Sequence, residues 1–105
     1  MNYKTYEVRV YENGNKCWYL NDRLHRENAP AIELSSGYRE WWLNGKLHRD
    51  DGPAIEKANG YKEWYLNGVV YLEGEWKKKV NQLKNTYNGR LVEIDGKKYK
   101  LVEVN

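Results

Sequence analysis

The run Trp18-Tyr19-Leu20-Asn21 returns as Trp41-Trp42-Leu43-Asn44 and again as Trp64-Tyr65-Leu66-Asn67, each time 23 residues on. Leu24-His25-Arg26 returns as Leu47-His48-Arg49, and Pro30-Ala31-Ile32-Glu33 as Pro53-Ala54-Ile55-Glu56. Gly14, Gly37 and Gly60 keep the same period, as do Tyr38-Arg39-Glu40 and Tyr61-Lys62-Glu63. A fixed period means that one supersecondary unit is copied and stacked, so the fold is constrained before any single residue is considered.

Each unit reads as β-hairpins. Asn44-Gly45 and Asn67-Gly68 lie between short strand-like runs, the signal for a two-residue type I′ turn. Gly14, Gly37 and Gly60 punctuate the other end of each unit. Pro53 opens a strand, where its missing N–H does least harm. The first copy, with Asn21-Asp22 and Glu27-Asn28-Ala29-Pro30, looks degenerate. The expected fold is mainly β: an antiparallel meander over residues 1–72.

The two-residue turn sets a register. Leu43 faces Lys46, Trp42 faces Leu47, Trp41 faces His48, and Glu40 should face Arg49. Alternation then puts Tyr38, Glu40, Trp42, Leu47 and Arg49 on one side, and Trp41, Leu43, Lys46 and His48 on the other. Trp and Leu recur on the Trp41 side in all three copies, which makes it the expected core. Tyr19, Tyr38, Trp42, Tyr61 and Tyr65 are then candidate partner-binding residues on an aromatic ladder.

A unit reading Tyr-x-Glu-x-(Trp/Tyr)-x-Asn-Gly-Lys-x-His resembles the MORN repeat over about residues 12–72. Tyr38, Trp42, Asn44, Gly45, Lys46 and His48 match that pattern, and Tyr61, Tyr65, Asn67 and Gly68 match it in part. Glu40 and Glu63 stand where the family has Gly, and Trp41 and Trp64 precede the usual aromatic. The run Trp-Trp-Leu-Asn-Gly-Lys-Leu-His-Arg-Asp-Asp-Gly-Pro-Ala is similar to a variant found in bacterial and phage proteins. The resemblance implies an interaction surface with no catalytic residues; lipid binding and antitoxin roles are also associated with such repeats.

After Gly68 the repeat decays, with Tyr71 at the His position and Trp76 at the Pro position. Trp76, Val80 and Leu83 recur at helical spacing, predicting a short helix over Glu73 to Leu83. Asn85 to Gly89 reads as a loop. Arg90 to Asp95 and Lys97 to Val104 read as a hairpin about Asp95-Gly96, with Val92, Ile94, Tyr99 and Leu101 as its apolar content. This helix and hairpin form the expected cap of a single 105-residue domain.

Composition narrows the function. No Phe and one Met accompany 5 Trp and 10 Tyr, and the mean hydropathy is −1.04. Amphipathic aromatics must therefore supply the core. No apolar run approaches the ~20 residues that span a bilayer. The single Cys17 excludes an internal disulfide and fits a reducing, cytoplasmic setting, the host cytoplasm for a phage-encoded chain. Residues 1–72 are electrically neutral, and the whole net charge of +3 sits in the last third.

The chemistry-bearing residues read as structural. His25 and His48 lack the further ligands that a metal site needs, and each should pack across from a Trp. Asp50-Asp51 falls short of the oxygen count that calcium takes and reads as turn chemistry. Glu40 with Arg49 reads as a cross-strand ion pair. Cys17 should lie opposite Arg26, whose charge would lower a thiol pKa, but no base accompanies it. No catalytic, cofactor or metal site is expected. Lys77, Lys78 and Lys79, with Lys84, Arg90, Lys97, Lys98 and Lys100, form the one basic concentration, near Trp76, Tyr87 and Tyr99. The expected function is binding another macromolecule: by analogy, a small phage-type inhibitor of a host defence protein, anti-CRISPR-like in kind. The alternatives are a nucleic-acid- or anionic-surface-binding module using the C-terminal lysines, and an antitoxin-like partner.

Overall fold

A computed structural model describes residues 5–87, 91–100 and 102, without the side chains of 84–87 and 91–94. The chain is mainly β, an antiparallel meander, and it divides into two compact units, Met1–Glu73 and Gly74–Asn105. In the first unit an eight-stranded sheet runs through β1 (Tyr6–Val10), β2 (Lys16–Leu20), β4 (Ile32–Glu33), β5 (Arg39–Glu40), β8 (Ile55–Glu56), β9 (Lys62–Leu66) and β10 (Val69–Tyr71) in that spatial order. β3 (Arg23–Leu24) pairs with β2 off this path, and β6 (Trp42–Leu43) with β7 (Lys46–Leu47) makes a separate hairpin.

Two kinds of turn build each repeat. Asn44-Gly45 and Asn67-Gly68 have positive φ at both positions (50° and 79°; 49° and 82°), the backbone that a type I′ turn demands. The apparently degenerate Asn21-Asp22 adopts the same conformation, at 49° and 66°. Asn and Asp tolerate this region because their short polar side chains satisfy themselves locally. At the other end, Gly14, Gly37 and Gly60 sit at φ 91°, 98° and 91°, each closing a turn back to Tyr11, Leu34 and Lys57. Such a type I turn followed by a left-handed glycine makes a bulged hairpin.

The register Trp42↔Leu47 and Leu43↔Lys46 is as expected, but Glu40 does not face Arg49. Glu40 pairs with Ile32 and Ile55 on the strands either side of it. The ladder of the Asn44-Gly45 hairpin stops at Trp41, whose N–H donates instead to the Ala54 carbonyl (2.8 Å). Cys17 likewise lies beside Arg9 and Ile32, not Arg26. One row across the sheet reads Arg9, Cys17, Ile32, Glu40, Ile55, Glu63. The next reads Lys16, Glu33, Arg39, Glu56, Lys62, on the opposite face and with alternating charge.

The core is small and made of short side chains. Ala31 and Ala54 are fully buried, with Leu66 and His25 on the same side of the sheet and Ile55 on the other. Trp18, Trp41, Trp42, Trp64 and Tyr65 are all half-buried, so neither face is wholly core.

The helix α1 spans Glu73–Tyr87, in the second unit from Gly74 on, and overruns the expected loop at Asn85. After Gly74 no Gly or Pro interrupts the chain before Gly89, and Tyr87 continues the i+4 spacing from Leu83. Trp76 and Val80 are buried, whereas Leu83 is 49% exposed and does not join them. β11 (Leu91–Ile94) and β12 (Lys97–Lys100) form a hairpin about Asp95-Gly96, with φ of 52° and 76°. The expected strand ends at Arg90, Leu101 and Val104 lie outside the described residues. No helix of the described residues is long and apolar enough to cross a membrane.

Candidate functional site

The repeat motif is wired to itself. Arg26 lies over the Trp18 ring at 3.7 Å, donates to the Pro30 carbonyl (3.1 Å) and meets Glu33 (3.3 Å). Twenty-three residues on, Arg49 lies over Trp41 at 3.9 Å, donates to the Pro53 carbonyl (3.0 Å), and meets Glu56 (3.2 Å) and Asp51 (2.8 Å). Each Arg therefore ties the Trp, Pro and Glu of its own copy by stacking and charge-assisted bonds. The carboxylate partner common to both copies is the Glu that ends Pro-Ala-Ile-Glu; Arg49 thus lies on the Trp41 side and not with Glu40, which is left for other work.

The histidines join one copy to the next. His25 and His48 do lie across from Trp18 and Trp41, their N–H groups donating to those carbonyls (both 3.0 Å). Their Nδ1 atoms accept the backbone N–H of Asn44 and Asn67 (both 2.9 Å), at the turn of the following copy. Gly45 N–H donates to Leu24 C=O and Arg26 N–H to Trp42 C=O; Gly68 to Leu47 and Arg49 to Tyr65 repeat the pattern. Ahead of the first copy, Thr5 and Asn21 bond each other in both directions. No group of three or more His, Cys, Asp or Glu that could hold a metal occurs among the described residues.

On the face carrying Glu40, aromatic hydroxyls and ring N–H groups converge on carboxylates. Tyr38 Oη donates to Glu40 Oε2, and Trp42 Nε1 donates to Glu40 Oε1 (2.7 Å). Tyr61 Oη donates to Glu63 Oε1 (3.4 Å). Burial, and then the Glu40 bond and the charges of Glu40 and Glu63, push the Tyr38 phenol far above its ordinary range. Burial and then Glu63 push Tyr65 the same way. Cys17 sits on this face too; burial raises its thiol, outweighing the opposing pull of Arg9, so it is not an activated nucleophile.

The candidate residues gather in part. Tyr19 and Trp42 line one shallow cleft of about 470 Å³ with Leu24 and Lys46. Tyr38, Tyr61 and Tyr65 lie around Glu40 and Glu63, with Tyr61 52% exposed and Lys57 over its ring at 4.8 Å. Lys77, Lys78 and Lys79 are exposed on α1 in the other unit, where Lys78 meets Glu75 at 3.6 Å. Alternation placed Glu40 on this face but gave it to Arg49, and the bonds from the rings to Glu40 and Glu63 were missed. Their recurrence two residues before each aromatic was the available signal. A second cleft, about 330 Å³, opens on the Trp41 side between Arg26, Pro30, His48, Arg49 and Asp51.

Searches against protein-family models, curated proteins and solved structures match nothing to this chain.

Proposed function

We propose that the chain is a non-enzymatic binding protein that docks another protein on the sheet face bearing Tyr19, Tyr38, Trp42, Tyr61 and Tyr65. One observation carries this reading. Five aromatics and the carboxylates Glu40 and Glu63 share a sheet face, and the described residues of the first unit form no second sheet larger than the β6–β7 hairpin to cover it. Large rigid rings give contact area at little entropic cost, and Tyr and Trp dominate binding hot spots. The carboxylates, already ordered by ring donors, favour a partner that presents Arg or Lys. The resemblance to phage-type MORN variants makes a host defence protein the expected partner, and inhibition the expected outcome.

Affinity capture from host lysate with the wild type, Trp42→Ala, Tyr61→Ala and a Lys77→Ala/Lys78→Ala/Lys79→Ala triple variant tests the assignment. A single stoichiometric partner should be retained by the wild type and the lysine variant and lost from both ring variants. Retention by the folded ring variants contradicts it. A second reading rests on Lys77, Lys78, Lys79, Lys97, Lys98 and Lys100, all exposed in the second unit. If they bind phosphates, duplex-DNA affinity should fall with salt at a log–log slope near −0.9 per phosphate neutralised. No gel shift with DNA or RNA at low salt removes that reading.

A further inference from the structure

We propose that two copies of this chain associate through β1, edge to edge and antiparallel about Val8, into one continuous sheet. Among the described residues β1 ends the strand order and pairs only with β2, and every residue from Thr5 to Tyr11 is exposed, Tyr6, Val8 and Val10 by 60%, 48% and 66%. None of those residues pairs with its outer edge. The hydrogen-bond phase is known from the hairpin's ends: Tyr11 N–H donates to Asn15 C=O, and Asn21 N–H donates to Thr5 C=O (both 2.9 Å). Odd-numbered residues thus turn their backbone groups toward β2, and Tyr6, Val8 and Val10 turn theirs outward.

A second copy of the same strand satisfies those groups. With Val8 opposite Val8 of the other copy, the central pair exchanges both hydrogen bonds, and Tyr6 exchanges them with Val10 on each side. The same register sets Glu7 opposite Arg9 of the other copy, twice by symmetry. These are non-hydrogen-bonded pairs, with Cα atoms about 4.5 Å apart and side chains close. Glu7 and Arg9 already form an ion pair within one chain (2.8 Å), half-exposed on both sides, so the dimer closes a ring of four alternating charges. The strand is thus palindromic in charge, in apolar pattern and in hydrogen-bond phase, which is what an isologous two-fold contact needs. Another protein's strand would meet the backbone need alone.

Sedimentation equilibrium of the pure chain over a wide concentration range at low salt reads the outcome. The wild type should dimerise. Glu7→Arg and Arg9→Glu, each placing like charges opposite one another in its own dimer, should weaken self-association at least about tenfold. Mixing the two variants should restore a dimer containing one of each, which repair of a pair within one chain does not produce. Val8→Pro, at an N–H that faces outward, should keep the thermal transition of the wild type and lose the dimer. A wild type that stays monomeric at the highest concentration overturns the proposal and leaves the edge to a different protein. Single variants that dimerise as well as the wild type, or a mixture that restores nothing, overturn it as well.

Discussion

The second copy carries His48 and Arg49 where the end of the third carries Tyr71 and Leu72, and that difference explains the motif. In the second copy His48 accepts the Asn67 N–H of the turn that follows, and Arg49 N–H reaches the Tyr65 carbonyl there. In the third, Tyr71 and Leu72 occupy the corresponding positions; Leu72 is 80% exposed, and the helix that begins at Glu73 follows in place of a Pro-Ala-Ile-Glu strand. The Leu-His-Arg triplet is therefore present where a next copy must be held and absent where none follows. Its histidine is a joint between copies.

The largest expected effect is on the pieces that make a copy, not on the joints. Trp41→Ala removes the platform under Arg49 and should cost about 3 kcal/mol, at the lower end for a large aromatic because the ring is half-buried. Chemical denaturation read by far-ultraviolet circular dichroism checks this. A loss below about 1 kcal/mol contradicts the stacked arrangement. Next come the joints. His25→Ala leaves the Asn44 N–H without its acceptor and should cost about 2 kcal/mol. His48→Ala should cost less, since His25 is buried at 5% exposure and His48 only half-buried. Equal losses would mean that the two joints do not differ in burial as described.

Smaller effects sharpen the comparison of the first copy with the second. Both turns hold φ positive at their second residue, Asp22 in one and Gly45 in the other. Asp22→Gly should stabilise by up to about 1 kcal/mol, and Gly45→Ala should destabilise by about 1–2 kcal/mol. Thermal melts of the pair must shift in opposite directions. The weakest effect is alkaline. Tyr38 and Tyr65 are raised in the folded state, by burial first and their carboxylate neighbours second. Below pH 10 both states keep these protons. Above it the unfolded chain releases them first, so stability falls as pH rises. Glu40→Gln should flatten that fall at Tyr38, and an unchanged slope would place the carboxylate elsewhere.

Much of the local fold was legible from residue order. Asn44-Gly45 dictated its turn, and with it the pairing of Trp42 with Leu47, because a two-residue loop leaves no other register. The same counting failed one step on. It assumed that the ladder continued through Trp41 to Glu40, whereas Glu40 pairs with Ile32 across the Gly37 turn and with Ile55 in the strand of the following unit. Non-local pairing leaves no trace in hairpin spacing. The joints were hidden for a related reason: their donors are backbone N–H groups, which every residue carries. Only the substitution of Tyr71 for His pointed to them. The candidate face was read better, since alternation alone places Tyr38 with Trp42 and Tyr61 with Tyr65. The bonds from Tyr38 and Trp42 to Glu40 were overlooked because that carboxylate, although placed on the right face, had been assigned to Arg49.

The central claim is that an imidazole of one copy accepts a backbone N–H of the next. A through-hydrogen-bond nitrogen–nitrogen coupling measured by NMR on ¹⁵N-labelled protein tests it most directly. Couplings should link the Asn44 amide to His25 Nδ1 and the Asn67 amide to His48 Nδ1, with both rings protonated at Nε2. Rings protonated at Nδ1 in the folded protein, with neither coupling present, would contradict the account.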